Sequence, residues 1–175
     1  MANKNPADRL EWVRTAVEHY EGPLVRFAAR ITGDLDRARD VVQETFLRLC
    51  QEDRSRLDGH LAEWLFTVCR NRALDVRRKE SRMNAMSVAE MESCASRDSA
   101  PSAELERDEA MSQVLQALAT IPENQQEVIR LKFQDDLSYH EISQVTGLSV
   151  SNVGFLIHTG LKTIRQRLGV ATGRP

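Results

Sequence analysis

Two helix starts separated by a single glycine constrain this chain more than any other stretch. They lie in SYHEISQVTGLSVSNVGFLIHTGLKTIRQRL, residues 138–168. Ser138 and Glu141 have the S-x-x-E spacing of a capping box, in which hydroxyl and carboxylate each satisfy an orphan backbone N–H. Gly147 permits the positive φ that ends a helix, and Ser149 is placed to cap a second one. Ile142, Val145 and Leu148 give the first helix and the turn an apolar surface. Val150, Val153, Ile157, Ile164 and Leu168 recur at helical spacing along the second. A short helix, a glycine turn and a longer helix is the helix-turn-helix layout, whose second helix commonly enters a DNA major groove. Spacing alone leaves open an αα-hairpin that only packs.

The rest of the chain also reads as helical. Only 5% of its 175 residues are aromatic, and Pro and Gly are sparse, so long helices are expected rather than sheets. No run approaches the ~18 apolar residues that would span a membrane. The start, MANKNPADRLEW, lacks an apolar signal core, so cytoplasmic residence is the expectation. Cys50, Cys69 and Cys94 are odd in number and far apart. Cys50 and Cys69 sit among apolar helical residues, where buried thiols are expected. The four histidines lack metal-binding spacing, and no phosphate loop, nucleophile elbow or paired catalytic set occurs. No cofactor and no enzymatic activity are expected.

Charge is unevenly placed. The formal net charge is −2 and the pI about 6.1, acidic for a protein that grips DNA unaided. Residues 70–82 hold six basic and two acidic side chains, and residues 83–109 hold two basic and seven acidic. No acidic residue follows Glu141. Two basic areas flanking an acidic stretch suit DNA contact at two separated places.

Residues 1–8 read as a loose end. Leu10, Val13, Val17, Leu24, Phe27, Ala28 and Ile31 then suggest a helix that Gly22-Pro23 bends or divides. In LDRARDVVQETFLRLCQ, residues 35–51, Ala38, Val41, Val42, Thr45, Phe46 and Leu49 form a full buried stripe. Asp40, Gln43 and Glu44 cluster on another face, which is either a solvated surface or an interface. After a polar loop at 52–60, a helix is expected from about Leu61 to Arg82, with Leu61, Leu65, Val68 and Val76 inward. Trp64 and Phe66 stand near Arg70, Asn71, Arg77 and Arg78. Rings beside guanidinium groups suit single-stranded DNA, with bases stacked and phosphates held. Equally, the two aromatics belong to a core and the arginines are solvated.

Residues 83–103 are rich in Ser and Ala and poor in large apolar groups, which reads as a flexible linker. A helix from about Glu104 to Thr120 should bury Leu105, Met111, Val114, Leu115 and Leu118. Pro122 marks the next helix, which Val128, Ile129, Leu131, Lys132 and Phe133 carry to a turn at Asp135-Asp136. The expected fold is all-α: two small helical domains, 9–82 and 104–170, joined through 83–103.

Laid out in this order, the chain resembles the extracytoplasmic-function (ECF) sigma factors of the sigma-70 family, bacterial subunits that direct RNA polymerase to promoters. ARDVVQETFLRL resembles the polymerase-binding helix of sigma region 2. AEWLFTVCRNRALDVRR resembles the following segment, which opens and reads the minus-ten element. ALATIPENQQEVIRLKF and LSYHEISQVTGLS resemble region 4, which reads the minus-thirty-five element. The likeness spans about residues 10–168. It implies that Asp40, Gln43, Glu44 and Leu47 dock on core RNA polymerase, at its largest-subunit clamp, with a further contact to its flap. It implies that Trp64, Phe66, Arg70, Asn71, Arg77 and Arg78 hold minus-ten DNA. An anti-sigma factor is a further candidate partner.

Where the family commonly carries a glycine before L-S-Y, this chain has Asp136. Three usually basic positions of the recognition helix are Gly154, Leu156 and Thr159. Ser151, Asn152, Phe155, His158 and Lys162 are then the candidates for minus-thirty-five contact, with Phe155 suited to a thymine methyl, to the interior or to a regulatory protein. Two alternatives remain: a stand-alone helix-turn-helix regulator that binds duplex DNA as a dimer, and a sigma-like adaptor that binds protein but reads no promoter.

Overall fold

The computed structural model describes residues 6–87 and 105–169. Among the described residues, eight helices fall into two compact units, α1–α4 and α5–α8. The all-helical expectation and its division into two small domains hold.

In the first unit, α1 (Pro6–Thr32) packs along both α2 (Leu35–Leu49) and α4 (Leu61–Ser87), and α2 also packs on α4. Asp34 starts α2 because its carboxylate accepts the Arg37 N–H at 2.8 Å. The whole expected stripe of α2, Ala38, Val41, Val42, Thr45, Phe46 and Leu49, is buried. Thr45 stays inside because its hydroxyl donates to the Val41 carbonyl at 2.8 Å. Against it lie Leu24, Phe27 and Ala28 of α1 and Leu65, Phe66, Cys69 and Ala73 of α4. Each large apolar side chain buried here contributes about 1.5–3 kcal/mol.

Several expectations change. Gly22-Pro23 does not divide α1, which runs unbroken with Pro23 inside it. Proline removes one N–H from the ladder, and packing on α2 and α4 carries the helix through. Leu10 is exposed, because the packed part of α1 begins farther along. The polar stretch 52–60 contains one helical turn, α3 (Arg54–Leu57), capped by Asp53 and anchored by buried Leu57. Cys50 is exposed at the end of α2, while Cys69 is buried as expected. α4 continues to Ser87, into the stretch read as linker; residues 88–103 lie outside the described residues.

In the second unit, α8 (Val150–Arg167) is the central element, packing on α6 (Glu123–Phe133), α7 (Tyr139–Thr146) and α5 (Leu105–Ala119). Its buried row is Val153, Leu156, Ile157, Gly160 and Ile164. A Cβ built on Gly160 would stand 2.6 Å from Ile129 Cδ1, so the missing side chain lets α6 and α8 approach closely. Val150 is exposed, since it sits in the first turn before α8 reaches the core. Met111, Val114 and Leu115 of α5 are exposed as well, leaving Ala117 and Leu118 inside; Phe133 at the end of α6 is also exposed. Among the described side chains of α5, only Ala117 and Leu118 at its end are buried; Leu105 lies outside them.

Candidate functional site

The first surface lies on α2. With its apolar stripe turned inward, Asp40, Gln43 and Leu47 are left exposed in a row one and two turns apart, Leu47 at 64%. Glu44 adjoins them but is engaged within the domain. Its carboxylate accepts both Nε and Nη2 of Arg72 on α4, the second at 2.8 Å. That bidentate bond holds the Glu44 carboxyl below its ordinary value, against the opposing effect of burial. The same bond raises Arg72. A second ion pair, Arg37 with Glu80, joins the same two helices. Arg9 of α1 donates to the carbonyls of Cys50 and Glu52, the latter at 3.1 Å, where α2 ends and its orphan acceptors collect.

The second surface lies on α4. Asn71, Asp75 and Arg78 share one exposed face, and Arg78 Nη1 meets Asp75 Oδ1 at 3.2 Å. Arg77 is exposed beside them; Trp64 and Arg70 are half-buried at the edge. Phe66 does not belong to this surface. It is 1% exposed and meets Phe27 edge-on, ring centroids 5.3 Å apart, so it is a core residue and cannot stack on a base. Spacing leaves Phe66 open between core and surface and the resemblance puts it with the DNA face; in the structure it joins the inward row Leu65, Phe66, Cys69 and Ala73.

The third surface is the exposed side of α8. Its presentation follows from the caps. Ser138 N–H donates to Glu141 Oε2 at 2.7 Å and Glu141 N–H to Ser138 Oγ at 3.2 Å, the complete capping box. Asp136 adopts the left-handed region at a φ of 54°, and Gly147 does so at 75°. In the turn, Ser143 Oγ donates to the Leu148 carbonyl at 2.6 Å. Ser149 Oγ then accepts the Asn152 N–H at 3.2 Å. Ser151, Asn152, Phe155, His158 and Lys162 are all exposed, and they follow one face along three turns. Phe155 is therefore not an interior residue. Of the three positions that the resemblance expects to be basic, Leu156 is buried. Gly154 is half-covered, with the Tyr139 ring 3.6 Å from where a Cβ would lie.

Arg72 and its bond to Glu44 escaped the sequence reading. The two residues are 28 positions apart and on different helices, so no periodicity pairs them. The same holds for Arg37 with Glu80. Among the described residues, no group of His, Cys, Asp or Glu could hold a metal ion. No described helix is long and apolar enough to cross a membrane.

Comparison with known proteins decides the family. Residues 16–83 match the model of sigma-70 region 2, and residues 111–164 that of sigma-70 region 4. ECF RNA polymerase sigma factor EcfG of Rhodopseudomonas palustris (strain TIE-1) is 30% identical over 131 residues, covering 74% of this chain and 70% of that one. The chain belongs to the ECF RNA polymerase sigma factors. A second relative, ECF RNA polymerase sigma factor SigL of Mycobacterium tuberculosis (strain ATCC 25618 / H37Rv), is 28% identical over 165 residues, 90% of this chain and 91% of that one. The solved sigma factor RpoE of Bartonella quintana, in complex with the anti-sigma factor NepR, shares the fold. Its TM-score is 0.65 at 21% identity, with 90% of this chain and 96% of that chain covered. In this sigma factor the region 2 match falls on α1–α4 and the region 4 match on α5–α8, so all three surfaces lie within matched segments.

Proposed function

We propose that this sigma factor holds core RNA polymerase through α2, the opened minus-ten strand through α4 and the minus-thirty-five duplex through α8. It binds core polymerase and directs promoter-dependent initiation. Residues 9–82 act as region 2, 104–170 as region 4, and 83–103 join them. The observation that carries the reading is the α2 surface. Its inward stripe is complete, yet Asp40, Gln43 and Leu47 remain outward as a mixed acidic, amide and apolar strip. Such a strip complements a basic helical partner, for which the clamp of the largest polymerase subunit is the candidate. A flap contact falls to the second unit.

On α4, Trp64, Arg70, Asn71, Arg77 and Arg78 supply ring, amide and guanidinium groups of the kind that receive unstacked bases and phosphates. On α8, Ser151, Asn152, Phe155, His158 and Lys162 supply the duplex face. The sigma factor contributes binding and strand separation and makes no bond itself, since polymerase forms the phosphodiester. It works in the cytoplasm, where that enzyme meets DNA. An anti-sigma factor is a further partner for its exposed apolar residues.

Run-off transcription with core polymerase tests this directly. Adding the chain should yield transcripts from discrete genomic start points; no promoter-dependent transcript from any template would sink the proposal. Asp40→Ala with Gln43→Ala should weaken core binding about tenfold at unchanged helix content. Arg77→Ala with Arg78→Ala should impair opening, read by permanganate footprinting, more than core binding. The reverse order would remove the arginines from the opening step.

A further inference from the structure

We propose that α8 reads A·T pairs in the upstream duplex, with Phe155 against a thymine C5-methyl and Asn152 on an adjacent adenine. This rests on α8 being the duplex-reading helix and names what it reads.

Side-chain chemistry on the exposed face carries the inference. From residue 142 to residue 161 the chain has no Asp, Glu, Lys or Arg. The commonest specific contact in a major groove, Arg or Lys bidentate to guanine O6 and N7, therefore has no donor along the first three turns of α8. Beside Ser151 and His158, which carry no such pairing with one base, those turns offer an amide, suited to adenine N6 and N7, and a phenyl ring, suited to the methyl group that marks thymine. Phe155 is 64% exposed, so its ring is not used by the fold. Asn152 and Phe155 lie about 4.5 Å apart along the axis, at ~1.5 Å per residue. One turn apart on the same face, the two side chains are within reach of neighbouring base pairs, ~3.4 Å apart. Tyr139 widens this uncharged area from α7, its ring lying over Gly154.

Duplex DNA is favoured over an apolar protein surface by the charge around the patch. Residues 142–169 contain Lys162, Arg165 and Arg167 and no acid. Lys162 follows Phe155 by two turns on the same face, placed to meet a phosphate while the first turns meet bases.

Holoenzyme assembled from core polymerase and the full chain can be used to select transcribed templates from a library randomised upstream of the minus-ten element. An A·T run with thymine at one fixed position is expected. Deoxyuridine at that position removes only the methyl group; it should lower initiation about three- to tenfold for the wild type and leave Phe155→Ala unchanged. Asn152→Ala should relax the neighbouring adenine. An enriched element of G·C pairs, or no effect of deoxyuridine, overturns the inference while leaving α8 as a duplex reader. Transcripts that depend on no upstream sequence overturn the reader assignment itself, and with it the inference. Loss of polymerase binding by Phe155→Ala would instead assign the ring to a protein contact and equally overturn it. Both residues are exposed, so circular dichroism should show the variants folded.

Discussion

Two glycines of α8 carry opposite expectations. At Gly154 a Cβ would meet only Tyr139, at an ordinary 3.6 Å. Gly154→Ala should therefore keep most of the helix-propensity gain, about 0.5–1 kcal/mol, and raise the melting temperature. At Gly160 the same atom would stand 2.6 Å from Ile129 Cδ1 and 3.3 Å from Ile121 Cδ1. Overpacking of about 1–3 kcal/mol offsets or exceeds the gain, so Gly160→Ala should melt lower than Gly154→Ala. The reverse order would mean that the α6–α8 contact is looser than described. The thiols differ as sharply. Burial pushes Cys69 up to about 12, so it stays protonated at neutral pH. In peptide mapping after alkylation of native protein, Cys50 should label readily and Cys69 only once the protein unfolds.

Between elements, α2 and α4 are tied by two ion pairs of opposite polarity: Arg37 to Glu80, and Glu44 to Arg72. Glu44 has its carboxyl lowered, chiefly by the Arg72 bond. Its contribution is therefore complete above the ordinary value of 4.5 and fades as pH falls through the lower folded value. The side chain is 43% exposed, so the pair contributes no more than about 1 kcal/mol. Glu44→Gln should lower the urea midpoint slightly at pH 7 and flatten its further fall below pH 4.5. Exchanging the pair, Glu44→Arg with Arg72→Glu, should restore the midpoint relative to either single change. If core binding stays lost in that double variant, Glu44 also meets polymerase.

The α2 stripe was fully legible in the sequence because one helix face met one core. α4 was less so: it presses on two helices, so its buried row is broad and took in Phe66, which its neighbours had suggested for the surface. On α5, Met111, Val114 and Leu115 repeat as a core face should, but periodicity does not say whether a neighbour arrives. The three surfaces were legible as residue types, whereas the Glu44–Arg72 bond, which engages one residue of the α2 surface within the domain, exists only in three dimensions.

At the scale of the whole molecule, charge separates the two partners. The net charge is −2, so the chain alone should bind promoter duplex weakly, and adding core polymerase should raise retention by orders of magnitude in filter binding at fixed salt. Comparable retention without polymerase would restore the stand-alone regulator. The uncharged run from 142 to 161 has a further outcome in the cell. A genome offers on the order of a million or more competing sites, and a strongly cationic reader is titrated by them. A face that held bases through a ring and an amide, as proposed for α8, would draw far less on that background. With α8 reading bases as proposed, more copies of this sigma factor should stay off non-specific DNA than of a cationic reader.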